Sequence, residues 1–443
     1  MQAMFYKATR PDTGNMWDVW LYHHDGTYYL FSLCKTAQNG WDNFSVARSP
    51  DGVHWMEIGP VLTKDEGVTW MGTGSTWKNP VPGGKPAFQI NYSSWKGPRQ
   101  TIFFAQSDDL IHWTKCGPKH EFVQDVRWYE PMGRWDCIWT IPRAGGGLYG
   151  YWTATPKKET GGQFGFGESL DGITWKALPP PKVEGVGAGE VGAIEKIGDR
   201  YYMLFGVMPG GHMVTLVADK PEGPFTALAK NGICLGSRTS FHTYFARFFR
   251  SPAGLLVCHH SIARNGQVSF GLLKGTNVDA EGTFRLTWWP GNEALKKKAV
   301  TVNSATPESG VAIVMLENRF DAADGFILEG NLKLPKPLGA PRGLYVQHAD
   351  DAGTAVLFQA SGRAEFGPVR ADGTGFKPET MPDREVKFGS PARFRLVLKG
   401  ELMEVYLDSV LVECFSLPAP ATGRIGLICG DDPGSSGSLK AWQ

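Results

Sequence analysis

The sequence predicts an all-β fold: a five-bladed β-propeller followed by a C-terminal β-sandwich. Three observations predict it. Helical periodicity is scarce, and short apolar-aromatic runs are broken by Gly, Asp, Asn and Pro. One turn-like mark recurs at intervals near 60 residues. After residue 290 that repeat gives way to strands of plain apolar–polar alternation.

The recurring mark is Ser49-Pro-Asp-Gly-Val-His-Trp55, Ser107-Asp-Asp-Leu-Ile-His-Trp113 and Ser169-Leu-Asp-Gly-Ile-Thr-Trp175, with a looser copy at Ala218–Phe225. Each follows an apolar strand, and a two-strand unit precedes each. These units are Asp18–Tyr22 with Thr27–Phe31, Gly74–Trp77 with Ala87–Tyr92, Asp136–Thr140 with Leu148–Trp152, and Glu190–Ile194 with Tyr201–Phe205. A fifth unit pairs His242–Arg247 with Leu255–Cys258. Five repeats of about four strands spell a five-bladed propeller over residues 1–300. Three-strand repeats in a sandwich would give similar local text. Trp288–Lys298 ends the repeats, and Thr301–Gly310 is a polar connector. Residues 301–443 read as an accessory β-sandwich, either a buttress or a carbohydrate contact.

The first strand of a propeller blade lines the central channel. Asp18, Gly74 or Ser75, Asp136, Glu190 and His242 open those five strands. Carboxylates entering apolar strands are costly unless they have partners or work. Glu190 lies among Gly185, Gly187, Gly189 and Gly192, whose lack of bulk would leave room for a sugar ring.

Composition narrows the chemistry. A net charge of +1 over 443 residues offers nothing for nucleic acid or an anionic membrane. Aromatic content of 12%, with 16 Trp, suits stacking on sugar faces. Seven scattered cysteines, never in C-x-x-C spacing, argue against a disulfide framework or a zinc site. They suit core thiols in a cytoplasmic protein, and the first ten residues lack the apolar core of a signal peptide. No cofactor motif is present, and one His with three spread acids makes a poor metal set.

Glycosidic cleavage needs an acid for the leaving oxygen and a second carboxylate as nucleophile or base. A third can stabilise the cationic ring or tune its neighbours. Asp18, Asp136 and Glu190 supply that set. Trp17, Trp77 and Trp135 flank the acids as stacking candidates, with packing between blades as their other role. Arg134 and His242 are candidate hydroxyl contacts, with an ion pair to Asp136 and a satisfied core His as the respective alternatives.

With these residues the chain resembles the invertase, inulinase and levanase family of β-fructofuranosidases. Trp17–Phe31 resembles the family's opening block, whose Asp is the nucleophile, so Asp18 takes that place. Met71–Trp77 is similar to its blade-two segment. Arg134-Trp-Asp136 resembles the Arg-Asp-Pro block, whose Asp stabilises the transition state. Glu190-Val-Gly-Ala-Ile resembles the Glu-Cys block, whose Glu is the acid/base. The departures are the missing Pro-Asn-Gly after Asp18, the Trp inserted before Asp136, and Val191 in place of Cys. The arabinofuranosidase and xylosidase family, which inverts configuration, is a near neighbour. The resemblance implies hydrolysis of a furanoside bond in a small carbohydrate, without cofactor and with self-association open. Fructosyl transfer and a non-catalytic sugar-binding propeller remain the alternatives.

Overall fold

In the computed structural model the described residues are 1–443 apart from 37–39, 209, 229, 231, 239–241, 304–312, 338, 383–390 and 430–435. Residues 304–310 of the expected polar connector lie outside the described set. Among the described residues every helix is a short 3-10 turn, and none is long and apolar enough to cross a membrane.

Five sheets, antiparallel but for the short parallel pair of Val183–Glu184 with Phe225–Ala227, form the propeller blades. Blade one runs from the channel strand Asn15–His24 outward to His54–Thr63. Blade two begins at the short strand Thr76–Lys78, blade three at Trp135–Pro142, blade four at Gly189–Ile197 and blade five at Thr243–Ser251. The first hairpin turns on Asp25 and Gly26 and that of blade four on Gly198, all at positive φ, as tight two-residue turns require.

The recurring mark is the turn between the third and fourth strands of a blade. Ser49 Oγ accepts Gly52 N–H at 2.8 Å, and Asp51 Oδ1 accepts the N–H groups of Val53 and His54 at 3.0 and 2.9 Å. Asp109 repeats this with Ile111 and His112, and Asp171 with Ile173 and Thr174. A Ser and an Asp two residues apart thus cap the turn with their own side chains. Burial would raise these carboxyls, but the backbone N–H donors outweigh it and hold Asp51 and Asp171 below the usual range.

The inner strands of blades one, three, four and five share a second device. Their ladders are interrupted between Met16 and Val19, Asp136 and Trp139, Val191 and Ala193, and Tyr244 and Arg247. Such bulges bend a strand and re-aim its side chains. At two of them Cys137 and Phe245 hold positive φ of 56° and 55°. The three acids stand at different steps: Asp18 within its bulge, Asp136 at its edge, Glu190 one residue before its edge. The acids therefore do not share one position along their strands.

The sandwich has two sheets. One orders the strands Ile313–Arg319, Arg424–Ile428, Arg342–Ala349, Ala352–Phe358 and Ala364–Arg370. The other is continuous with blade five, because Thr287 of its outermost strand pairs with Val410. The sandwich core of Leu328, Phe394, Leu396, Val405 and Leu427 lies between the two. Ala299 and Val300 already pair with Trp442 and Ala441.

Candidate active site

Three blades deliver acids to one end of the channel. Asp18 is 8% exposed and Asp136 5%, while the Glu190 side chain reaches further out at 21%. Arg134 joins two of them. Its Nη2 donates to Asp136 Oδ2 at 3.2 Å and to Glu190 Oε1 at 2.8 Å. One nitrogen serving both puts those two carboxylates within the sum of these lengths of each other.

Asp136 is held firmly. Ser93 Oγ donates to its Oδ1 at 2.5 Å, Gln100 Nε2 donates to Ser93 Oγ at 3.0 Å, and Gln100 Oε1 accepts Trp135 N–H. Gly72 makes this possible, since a Cβ there would strike Ser93 Oγ, Asp136 Oδ1 and the Trp70 ring. Glu190 takes a second donor from blade five, Tyr244 O–H to Oε2 at 2.9 Å. Gly206, cross-strand from Glu190, admits that ring; a Cβ would lie 2.3 Å from the Tyr244 hydroxyl.

Asp18 differs from both. It is buried, and its Oδ1 has no hydrogen-bond donor. Burial pushes its carboxyl well above the usual range, Glu190 adds to that push, and Arg247 pulls the other way. Asp136 is raised more modestly, chiefly by burial, with Arg134 and Ser93 opposing. For Arg134 burial alone would weaken proton binding, but Asp136 and Glu190 outweigh it and raise the value. Burial, then Glu190, raises Tyr244.

The other expected contacts fare unequally. Arg134 belongs to the site. Trp17 is half-buried and packs on His260 at 4.9 Å and Trp41 at 6.0 Å between ring centroids, forming an aromatic rim beside Asp18. Trp135 is corrected: it is fully buried, its indole bonded to Phe122 O, and offers no face to a sugar. Trp77 is corrected likewise, wedged against Phe104 and Trp175 with its N–H on Gln89. His242 turns toward the sandwich, its ring 4.6 Å from Phe415 and 3.8 Å from Glu379. Burial lowers its pKa to about 4, so it stays neutral.

Two of the glycines around Glu190, Gly189 and Gly192, are corrected too, while Gly187 borders open space. A Cβ on Gly189 would hit Gly206 O, and one on Gly192 would hit Ala246 O. Their smallness admits neighbouring backbone, not a sugar ring. Sequence reasoning missed Tyr244, Ser93, Gln100 and Arg247. A Gly at 206 opposite Glu190 was the signal available for Tyr244.

The sole group of metal-type ligands among the described residues is His259, Glu404 and Cys414, at the junction of blade five and the sandwich. The buried Lys274 ammonium already sits on Glu404 Oε1 at 2.8 Å, so a cation is in place there.

The GH32 β-fructofuranosidase BmSUC1 of Bombyx mori superposes with a TM-score of 0.72 at 13% identity, over 99% of this chain and 93% of that one. The fold is that of the β-fructofuranosidases. Sucrose-6-phosphate hydrolase from Lactobacillus gasseri gives 0.71 at 16% identity, over 100% and 92%. Exo-inulinase from Aspergillus awamori gives 0.70 at 13%, over 99% and 97%. No protein-family model and no curated protein sequence matches this chain. The likeness therefore covers propeller and sandwich alike, while sequence identity stays at or below 16%.

Proposed function

We propose that the chain is a glycoside hydrolase cleaving a fructoside-like furanoside bond in a small carbohydrate. The observation that carries this is the Asp136–Arg134–Glu190 bridge beside a buried Asp18 lacking an Oδ1 partner. Solved neighbours sharing the fold are named as acting on sucrose phosphate, inulin and fructan, which supports the substrate class. In this reading residues 1–300 form the catalytic propeller and 301–443 the accessory sandwich.

Glu190 serves as acid/base. Arg134 and Tyr244 hold its two oxygens, and the phenol can donate to the carboxylate or accept from the carboxylic acid as the proton comes and goes. Asp18 attacks the anomeric carbon; an oxygen without a hydrogen bond gives up none to react. Asp136, fixed by Ser93 and Arg134, holds ring hydroxyls and stabilises the oxocarbenium-like transition state. Trp17 supplies a stacking face. No metal enters the scheme.

Sucrose and inulin hydrolysis, followed by reducing-sugar release and anomeric NMR, tests the reading. Asp18→Asn and Glu190→Gln should abolish turnover, and retention of configuration should be seen. Full activity in Glu190→Gln would remove the acid assignment, and inversion would recast Asp18 as a base for water.

A further inference from the structure

Arg247 lies in the blade-five channel strand and is 0% exposed. A guanidinium keeps its proton even when buried. Its Nη1 donates to Gly74 O of blade two at 3.0 Å, and its Nη2 to Cys137 Sγ of blade three at 2.6 Å. The Phe245 ring lies 4.4 Å away and Trp139 5.6 Å. Nε has no acceptor. None of these neighbours carries formal charge: burial pushes the Cys137 thiol up to about 12, despite the opposing pull of Arg247. A cation stripped of water and given only neutral partners is expensive to fold around. Asp18 is its mirror image, a buried carboxylate with an oxygen that nothing donates to. The strands bearing them, the channel strands of the neighbouring blades one and five, pack on each other.

We propose that Arg247 is a positioning residue that supplies, from the blade-five channel strand, the countercharge keeping Asp18 a carboxylate. Direct ion pairing would spend the reactive oxygen on a hydrogen bond. A guanidinium fixed by Gly74 and Cys137 instead acts at a distance and leaves that oxygen free. Four other groups face Asp18: Glu190 and Asp136 press against its ionisation, Arg134 favours it, and Tyr244 borders them. The inference rests on Asp18 being the reactive carboxylate.

The test is a double-mutant cycle read by calorimetry at pH 7, on wild type, Arg247→Met, Asp18→Asn and the double variant, beside pH profiles of kcat/KM on sucrose. Arg247→Met should lower the melting temperature, and Asp18→Asn should cancel at least half of that loss. Additive effects would overturn the proposal. If Arg247→Met yields no folded protein, the double variant should still fold; failure of both would assign Arg247 to packing and overturn it. The acid limb of kcat/KM should rise by about one pH unit in Arg247→Met and stay in place in Arg247→Lys. A fallen rate with an unmoved limb would likewise overturn it. So would a Cys137→Ser variant coupled to Arg247 in place of Asp18, which would hand the countercharge to a thiolate. Activity surviving in Asp18→Asn, with the stability coupling intact, would sink the proposed function alone.

Discussion

Two buried ionic clusters, one in the channel and one where blade five meets the sandwich, are built from the same materials and finished differently. At the junction, Glu404 Oε1 accepts Lys274 Nζ and Leu272 N–H, and Oε2 accepts Tyr406 O–H. Lys274 donates again to Leu272 O. His259 beside them is kept neutral, first by burial and then by Lys274. Both charges are wholly buried and well supplied with partners. In the channel Asp18 is almost as buried, yet its Oδ1 is left without a donor. The difference teaches that satisfaction, not burial, separates a strut from a reactive group. A saturated pair has nothing left to offer a ligand; an unsaturated carboxylate does.

Five experiments would break or sharpen that contrast. The largest effect belongs to the channel. Glu190→Gln should cut kcat by roughly 10²–10⁴-fold, the usual worth of a general acid. Asp18→Asn should also silence the enzyme while raising its melting temperature at pH 7. The sign follows from linkage. The folded state holds the Asp18 proton to higher pH than the unfolded chain, so stability falls as pH rises past the unfolded value, and Asn removes that loss. A drop in melting temperature for Asp18→Asn would erase the distinction drawn here.

At the junction the opposite split is expected. Lys274→Met should cost about 3–5 kcal/mol in chemical denaturation, because Glu404 is left buried and unpaired, with kcat of the folded protein unchanged. Adding Glu404→Leu should recover most of the loss. A mere surface-like cost would show that water reaches the pair.

Acid should act next. His260 and His242 are lowered chiefly by burial, to about 3 and about 4, so the folded state refuses protons that the unfolded chain takes up. Stability from these groups is complete above the unfolded His value of roughly 6.5 and is lost as pH falls below it. Urea midpoints between pH 7 and 4 measure this, and His260→Asn should flatten the dependence. The smallest effect is Tyr244→Phe. Losing one hydrogen bond to Glu190 is worth about 1–2 kcal/mol, near a tenfold fall in kcat with KM little changed. Equal kcat in the variant would remove Tyr244 from the acid/base couple.

Much of this was legible from residues. The Ser-x-Asp turn marks set the repeat length in the first three blades because each of those turns needs its own side-chain caps. The three acids stood out because carboxylates are rare in apolar strands. Arg134 was readable as an acid's partner, though its bridge to Glu190 was not. For Trp77 and Trp135 the sequence left stacking and packing between blades both open, because a Trp at a strand entrance looks the same whether its ring faces solvent or a neighbouring blade. Tyr244 and Arg247 carried no motif: their value comes from strands 54 residues away from Glu190 and 110 from Cys137. The bulges escaped notice because an unpaired residue leaves no compositional trace outside glycine. Nor could alternation alone reveal that a blade and a sandwich share one sheet.

That shared sheet governs how the chain is made. The strand Phe284–Trp288 of blade five meets Val410 at its outer edge, and Lys399 reaches back to the carbonyls of Ala3 and Met4. Phe270 N–H bonds Tyr6 O, joining the fifth blade to the segment that leads into the first. The ring therefore stays open on the ribosome until residue 270 emerges, and its last edge stays bare until residue 410 does. At ordinary elongation rates that interval is on the order of ten seconds, during which an unpaired strand edge is presented to the cell. The sandwich is in that sense the closing act of the propeller's biosynthesis, and a chain truncated after residue 300 would be released with that edge permanently uncovered.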